Sequence, residues 1–374
     1  MKRPTLPLLL TPAEQFAPQG QVLTVREYGQ GNVHDTFLVT VEGAAESHFI
    51  LQRLNTRVFR QPELVMANLV TATEHRRQRL DRELPGRGRW ETPRVRPARD
   101  GRNYFIDAQG SFWRALSFIE NAETFDIIRG PAHAREVGYA LGRFHTLLSD
   151  LPPDRLADTL PGFHVTPGYL RHYDEVLANC RLPASPEASY ALGMVAARRS
   201  FTGVLKAAQV GGYLPRRPIH GDPKVNNVLC DSATGQAVAL VDLDTVNPGL
   251  VHYDIGDLLR SGGNLLGEET ELWEEVRFEP ELGRALLRGY LPEARGFLTD
   301  RDYAYLYDAI RLLAFELGLR FFTDYLEGNV YFKARHREHN LYRALVQFRL
   351  TESIEAQEGA LRALILDLRR DLGI

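Results

Sequence analysis

The chain has 374 residues, 44% hydrophobic and 25% charged, with a formal net charge of −3. That length gives two or three domains or lobes and enough apolar residue to bury a large core, which excludes wholesale disorder. With 45 basic against 48 acidic residues, there is no basic excess to bind nucleic acid and no acidic tail. The run Glu74-His75-Arg76-Arg77-Gln78-Arg79 reads as a solvated helix face. Cys180 and Cys230 form neither a disulfide framework nor a metal-ligand pattern, so a reducing, cytoplasmic setting is expected. No apolar run approaches the ~20 residues that span a bilayer. The stretch Lys2 to Leu10 is too short for a signal peptide, is broken by Pro7 and lacks a small-residue cleavage site. Neither a membrane nor an obligatory protein partner is expected.

The first ~120 residues read as strands with one helix. Val22–Tyr28 and Val33–Val41 are strand-like, joined by Gly29-Gln30-Gly31-Asn32, whose Gly and Asn residues tolerate positive φ. His48–Leu54 is a third strand. Pro62–Leu80 follows, with Leu64, Val65, Leu69 and Leu80 at roughly helical spacing and Pro62 suited to a first turn. Arg82–Arg99, rich in Pro, Gly and Arg, reads as a loop. Asn103–Asp107 and Phe112–Ile119 are two further strands.

The remainder is mainly helical: Pro131–Ser149, Pro186–Gln209, Thr270–Tyr290, Asp302–Tyr325 and Arg337–Arg370 carry helical periodicity. One island breaks this pattern. Ile219–Asp222 leads into Asn227-Val228-Leu229-Cys230, a turn at Ser232 to Gly235, and Ala237–Asp242. It predicts a short β-hairpin with polar rims.

That island carries the chemistry. Asp222 is followed by Asn at the fifth place, Asn227, and after the hairpin by Leu240-Val241-Asp242-Leu243-Asp244. Phosphoryl transfer from ATP needs a carboxylate to hold the attacking hydroxyl and take its proton, and oxygen ligands to hold Mg²⁺ against the phosphates. An Asp, an Asn amide oxygen and a second Asp supply that set, in the order protein kinases use. Singly, each residue is ordinary turn chemistry. The ordered combination behind a strand-rich lobe points to catalysis. There is no P-loop, no nucleophile elbow and no H-E-x-x-H pair, and Gly29-Gln30-Gly31 lacks the third glycine of a dinucleotide fingerprint.

On these motifs the sequence resembles the phosphotransferase enzyme family, the aminoglycoside-phosphotransferase and choline-kinase relatives of protein kinases. Leu141-Gly142-Arg143-Phe144-His145 resembles that family's helix ahead of the catalytic loop, and Tyr253-Asp254-Ile255-Gly256-Asp257 resembles its segment after the metal-binding Asp. Within the family, Ile50 to Asn55, Asp242 to Gly249, Asp324 to Phe332 and Glu338 to Leu341 resemble the bacterial N-acetylhexosamine 1-kinases. The resemblance runs from about Tyr28 to beyond Phe348. It implies transfer of the ATP γ-phosphate to the anomeric hydroxyl of N-acetylglucosamine or N-acetylgalactosamine. It also implies Asp222 as catalytic base, Asn227 and Asp242 as Mg²⁺ ligands, and Arg320 and Tyr331 as sugar contacts. Gly29, Gly31 and Asn32 fall in a glycine-rich loop near ATP and sugar. Two departures stand out. Those kinases carry His where this chain has Asn32 and Asn where it has His34, and their loop reads His-Asn-Asp against His220-Gly221-Asp222.

Some positions stay open. The third strand places Gln52 and Arg53 on opposite faces, so only one can point at the nucleotide. Its helix partner could be Glu63 or Glu74. Lys224 could supply charge to the γ-phosphate, or be a solvated loop residue. Asp244 could assist the metal or accept backbone hydrogen bonds. Asp254 and Asp257 are expected to cap a helix and brace the catalytic loop, and His220 to anchor it. By default, a helical Arg such as Arg320 is a surface or ion-pair residue, and Tyr331 a half-buried aromatic.

The expected fold is α+β, bilobal and protein-kinase-like. A small five-stranded antiparallel lobe with one helix spans 1–119 and a larger, mainly helical lobe spans 120–374. Phe118-Ile119-Glu120-Asn121 would form the hinge, with backbone groups at Glu120 meeting adenine. The expected activity is ATP- and Mg²⁺-dependent phosphorylation of an N-acetylhexosamine. A kinase for another small alcohol or sugar, such as a hexosamine or aminoglycoside, and a non-catalytic nucleotide-binding module are the alternatives.

Overall fold

Alternating apolar residues near the N-terminus pair into an antiparallel sheet. The computed structural model describes residues 6–29, 33–83, 88–180 and 185–373. Helix α1 (Leu6–Gln15) is followed by strands β1 (Gln21–Glu27), β2 (Asp35–Glu42) and β3 (His48–Arg53), then helix α2 (Pro62–Arg82). Four more strands follow: β4 (Val95–Arg96), β5 (Phe105–Ile106), β6 (Phe112–Ser117) and β7 (Ala122–Glu123). The sheet order is β1-β2-β3-β6-β4, with β5 also paired to β6. All these pairings are antiparallel. Phe37, Val39, Phe49, Leu51, Trp113 and Ala115 pack beneath Leu9 and Ala13 of α1 and Phe16 just after it. The other sheet face turns toward α2 and the second lobe. Register decides what that face carries: Gln52 stands opposite Thr36 on β2 and Arg114 on β6.

The second lobe continues with α3 (Pro131–Leu148), α4 (Thr166–Asn179), α5 (Pro186–Arg198) and α6 (Val204–Val210). Next come β8 (Arg217–Ile219), β9 (Val228–Asp231), β10 (Ala237–Leu240) and β11 (Asn247–Gly249). The chain closes with α7 (Val251–Gly262), α8 (Pro280–Ala294), α9 (Asp300–Ala304), α10 (Leu306–Leu326), α11 (His339–Ala356) and α12 (Glu358–Asp371). Its core is continuous from α3 through α7, α8 and α10 to α12. Helices α3 and α8 meet backbone to backbone. A Cβ on Gly138 would lie 1.9 Å from the Leu286 carbonyl oxygen, and one on Gly289 would lie 2.0 Å from that of Arg135. Only glycine permits that approach.

The bilobal α+β architecture is as the sequence predicts, with differences of detail. The predicted loop Arg82–Arg99 contributes β4. Helix α1, in the stretch compared with a signal peptide, instead roofs the sheet. Pro186–Gln209 is two helices. Thr270–Tyr290 becomes helical only at Pro280, because the residue before a proline is held extended and Glu279 has φ −96° and ψ 103°. Arg337–Arg370 breaks at Gln357. No helix among the described residues is long and apolar enough to cross a membrane.

Candidate active site

Strands β8 and β11 pair through Ile219 and Asn247, which fixes the start of the loop His220–Asn227. Gly221 has φ +86°, and a Cβ there would meet the Thr245 carbonyl oxygen at 2.7 Å, so glycine suits the middle of His220-Gly221-Asp222. Asp254, fully buried near the start of α7, accepts from the backbone N–H groups of His220 (2.6 Å) and Gly221 (2.8 Å). His145 of α3 meets the same carboxylate at 2.8 Å and reaches the Tyr290 hydroxyl with its other nitrogen. Burial alone would raise the Asp254 pKa, but these bonds hold it below the usual carboxylate value. His220 binds the Val241 carbonyl through Nε2 (2.9 Å), and Thr245 Oγ1 donates to the His220 carbonyl (2.7 Å). The loop is thus clamped from three sides. Asp257 pairs instead with Arg260.

Asp222 projects from this loop with its side chain 32% exposed and pairs with Lys224 Nζ at 2.9 Å. Burial would lower the Lys224 pKa, but Asp222 and then Asp242 raise it, so the ammonium stays charged. Asn227 is buried and donates its amide N–H to the Asp222 carbonyl oxygen (2.7 Å), which leaves its amide oxygen for a cation. Asp242 follows β10 in the left-handed conformation, φ 62° and ψ 59°, and opens to solvent. Its pKa is raised by desolvation and by the Asp244 and Asp222 charges, a crowding that a bound cation would relieve. An amide oxygen and a carboxylate are hard donors suited to Mg²⁺, which keeps waters and phosphate oxygens for its other positions.

Asp244 is no metal-facing twin of Asp242, and among the described residues its partners are side chains rather than loop backbone. It is 3% exposed and takes two side chains from the other lobe. Arg114 binds both its oxygens, and His34 Nε2 donates to Oδ2 at 2.7 Å. The Asn55 backbone N–H donates to His34 Nδ1 (3.0 Å), so the ring proton lies on Nε2. Burial alone would raise the Asp244 pKa, but Arg114 and His34 hold it far below the usual carboxylate range. Arg114 also donates twice to Gln52 Oε1 (2.9 and 2.7 Å), and Gln52 donates to Thr36 Oγ1 (3.1 Å).

This settles which third-strand residue faces the cleft. Gln52 does. The alternation sends Arg53 to the opposite face, where it pairs with Asp35 and lies 5.9 Å from the Trp113 ring. Arg53 thus stands apart from the Gln52–Asp244 network, and the cation within that network is Arg114, one strand over. Neither Glu63 nor Glu74 turns inward. Both are exposed, and Glu74 pairs with Arg77. Among the buried polar residues of α2, Asn68 bonds to the Ala157 and Val246 carbonyls. Gly29 has φ +73° with open space around it, while Gly31 and Asn32 lie outside the described residues. At the expected hinge, Glu120 meets His48 at 3.2 Å and its carbonyl accepts from Arg89 at 2.7 Å, while the Asn121 carbonyl accepts from the Ser232 N–H.

On the far side of the loop lies a cavity of about 680 Å³ lined by Phe163, Tyr169, Arg320, Tyr331 and Phe332 among others. The Arg320 guanidinium lies 5.0–6.0 Å from the rings of Tyr169, Phe163, Phe332 and Tyr331, so it is not a surface ion-pair residue. Tyr331 is 55% exposed at the mouth. The carboxylates on this wall are engaged. Asp324 accepts from the Tyr331 and Phe332 backbone N–H groups and from Asn340, and Glu327 lies 3.2 Å from His172. His164, beside Phe163, reaches the Gly221 carbonyl, so the cavity wall touches the Asp222 loop directly.

Arg114, His34 and His164 escaped the sequence reading. For Arg114 there was one signal, a cation inside the otherwise apolar strand Phe112-Trp113-Arg114-Ala115-Leu116. His34 stands out in the sequence only as a departure from the resembled kinases, and His164 gives no signal, since the roles of both depend on partners distant in sequence.

Comparison with known proteins agrees with this geometry. In solved structures, the chain is similar to a microcompartment-associated aminopropanol kinase (17% identity, 94% of this chain and 98% of that one, TM-score 0.60). It is similar to an aminoglycoside phosphotransferase from Alicyclobacillus acidocaldarius (16%, 98% of each chain, TM-score 0.59). A choline kinase from Cryptosporidium parvum matches at 14% identity over 96% of this chain and 94% of that one, with TM-score 0.57. These likenesses show the fold. The sequence profile of the phosphotransferase enzyme family matches residues 24–305, and the chain belongs to that family of ATP-dependent small-molecule kinases.

Proposed function

We propose that this protein is a sugar 1-kinase, transferring the ATP γ-phosphate to the anomeric hydroxyl of an N-acetylhexosamine such as N-acetylglucosamine or N-acetylgalactosamine. In this reading residues 1–119 form the nucleotide lobe and 120–374 the catalytic lobe. Asp222 orients the sugar hydroxyl for in-line attack and accepts its proton. Lys224, already paired with Asp222, meets the incoming phosphate oxygens. Asn227 and Asp242 would hold Mg²⁺, which offsets the charge of the phosphates. Gln52 and the Gly29 turn border the nucleotide, and Arg320 and Tyr331 contact the acceptor.

The observation that carries the choice of acceptor is the Arg320 cavity. Amino alcohols and aminoglycosides are cations and need unpaired carboxylates. This cavity instead presents a guanidinium ringed by aromatic faces, and its Asp324 and Glu327 are engaged. A guanidinium suits the carbonyl and hydroxyl oxygens of a neutral N-acetyl sugar, and aromatic faces suit its C–H surface. The test is ADP formation from Mg-ATP with N-acetylglucosamine, N-acetylgalactosamine, glucosamine and kanamycin, with the product position read by phosphorus NMR. A 1-phosphate of an N-acetylhexosamine is the expected product. Turnover only with glucosamine or kanamycin would overturn the acceptor assignment while leaving the Asp222 chemistry.

A further inference from the structure

His164 lies in a turn, buried to 5% exposure, with φ 57° in the left-handed region, a conformation that costs a non-glycine residue energy. Both ring nitrogens face acceptors. Nδ1 lies 2.8 Å from Glu316 Oε1 on α10, and Nε2 lies 2.8 Å from the Gly221 carbonyl oxygen. A carbonyl can only accept, so Nε2 carries a proton. The other Glu316 oxygen already accepts from the Thr166 hydroxyl at 2.6 Å, as suits an ionised carboxylate facing a second N–H. Only the doubly protonated imidazole makes both bonds to such partners.

We propose that doubly protonated His164 is a positioning residue that grips the Gly221 carbonyl, ties the Asp222 loop to the Phe163 wall of the acceptor cavity, and lets phosphoryl transfer fade as its second proton is lost. This rests on the kinase reading of Asp222. The groups around the ring are Glu316 from α10 and Asp257 and Tyr253 from α7; Arg320 of α10 acts on Glu316, and Tyr169 of α4 meets the His164 backbone. Burial alone would lower the His164 pKa, but Glu316, reinforced by Asp257, raises it above the usual imidazole value. The grip is therefore complete below about pH 6.5, the unperturbed imidazole value; as pH rises through the raised value the one remaining proton stays on Nδ1, in the charge-assisted bond to Glu316, and Nε2 lets go of the Gly221 carbonyl. One side chain then sets the spacing between the acceptor wall and the base, a spacing on which transfer depends steeply.

The test joins a spectrum to a rate. In the full chain labelled with ¹⁵N-histidine, the His164 ring, assigned from its loss in His164→Gln, should lose its second proton above the ordinary imidazole value of about 6.5. The alkaline limb of kcat, measured with the acceptor found above, should follow that titration. In Glu316→Gln both should move to lower pH, with KM for ATP unchanged. A ring that loses its second proton below about pH 6.5 in the wild type overturns the proposal, and that result stands even where a variant fails to fold. A limb that stays put while the ring titration moves removes the positioning role alone. Absence of turnover with every acceptor sinks the kinase reading itself.

Discussion

Arg114 and Asp244 form a two-pronged ion pair across the interlobe cleft, 1% and 3% exposed, with Arg114 Nη2 2.8 Å from Oδ2. The pair joins strand β6 of the sheet to the segment that carries Asp242. In many kinases a third-strand lysine pairs with a helix carboxylate. Here Gln52 takes the cleft-facing position, and the cation comes from the neighbouring strand. Removing one member of a buried pair strands the other charge and costs about 3–5 kcal/mol. Arg114→Met should lose that much by denaturant unfolding. The double variant Arg114→Met, Asp244→Asn should be less destabilised than the sum of the single changes. Additive effects would show that the pair is not coupled.

Asp222 is the side chain that the clamped loop presents to the cleft, and its removal should separate binding from chemistry. Asp222→Asn should lower kcat about 10²- to 10⁴-fold, while Mg-ATP affinity by calorimetry changes little. Near-normal turnover in this variant would remove Asp222 from the base role.

Arg320 is enclosed by four aromatic rings, and among the described residues no carboxylate pairs with it. Its fork is therefore open to an acceptor. Loss of a charge-assisted hydrogen bond costs about 1.5–3 kcal/mol, so Arg320→Met should raise KM for the acceptor roughly 10- to 150-fold and leave KM for ATP within about twofold. An equal rise in both constants would place Arg320 in the fold rather than at the acceptor.

The loop His220–Asn227 and the later Asp242 are legible in sequence because their placement depends on short spacings within one hairpin. The strand alternation also narrows the third-strand question to Gln52 against Arg53, and register resolves it. What escapes is whatever depends on distant partners. Arg114 and Asp244 are separated by 130 positions, His164 and Gly221 by 57. The early turn holding His164 has no periodicity to mark it, and its importance comes wholly from what α10 and the loop bring to its two nitrogens. Helix α1 escapes for a related reason. Its apolar face is short, and only the sheet beneath it shows what that face covers.

Arg76 corrects the reading of residues 74–79 as wholly solvated. Its neighbours Glu74 and Arg77 are exposed, but Arg76 points inward, is 0% exposed, and lies 4.9 Å from the Phe144 ring. Among the described residues, no acceptor meets any nitrogen of its guanidinium. Burial and the nearby Arg143 charge lower its pKa to about 9. An unpartnered buried cation is costly, and the cation–π contact offsets only about 1–2 kcal/mol of that cost. Methionine keeps the unbranched stem and sheds the charge. Arg76→Met should therefore raise stability by about 1–2 kcal/mol in denaturant unfolding, with the slope of the transition unchanged. The ring of Phe144 also packs 5.3 Å from His220, so kcat in this variant reports whether the seam between α2 and α3 is felt at the catalytic loop. A loss of stability would show that the guanidinium holds that seam through its charge.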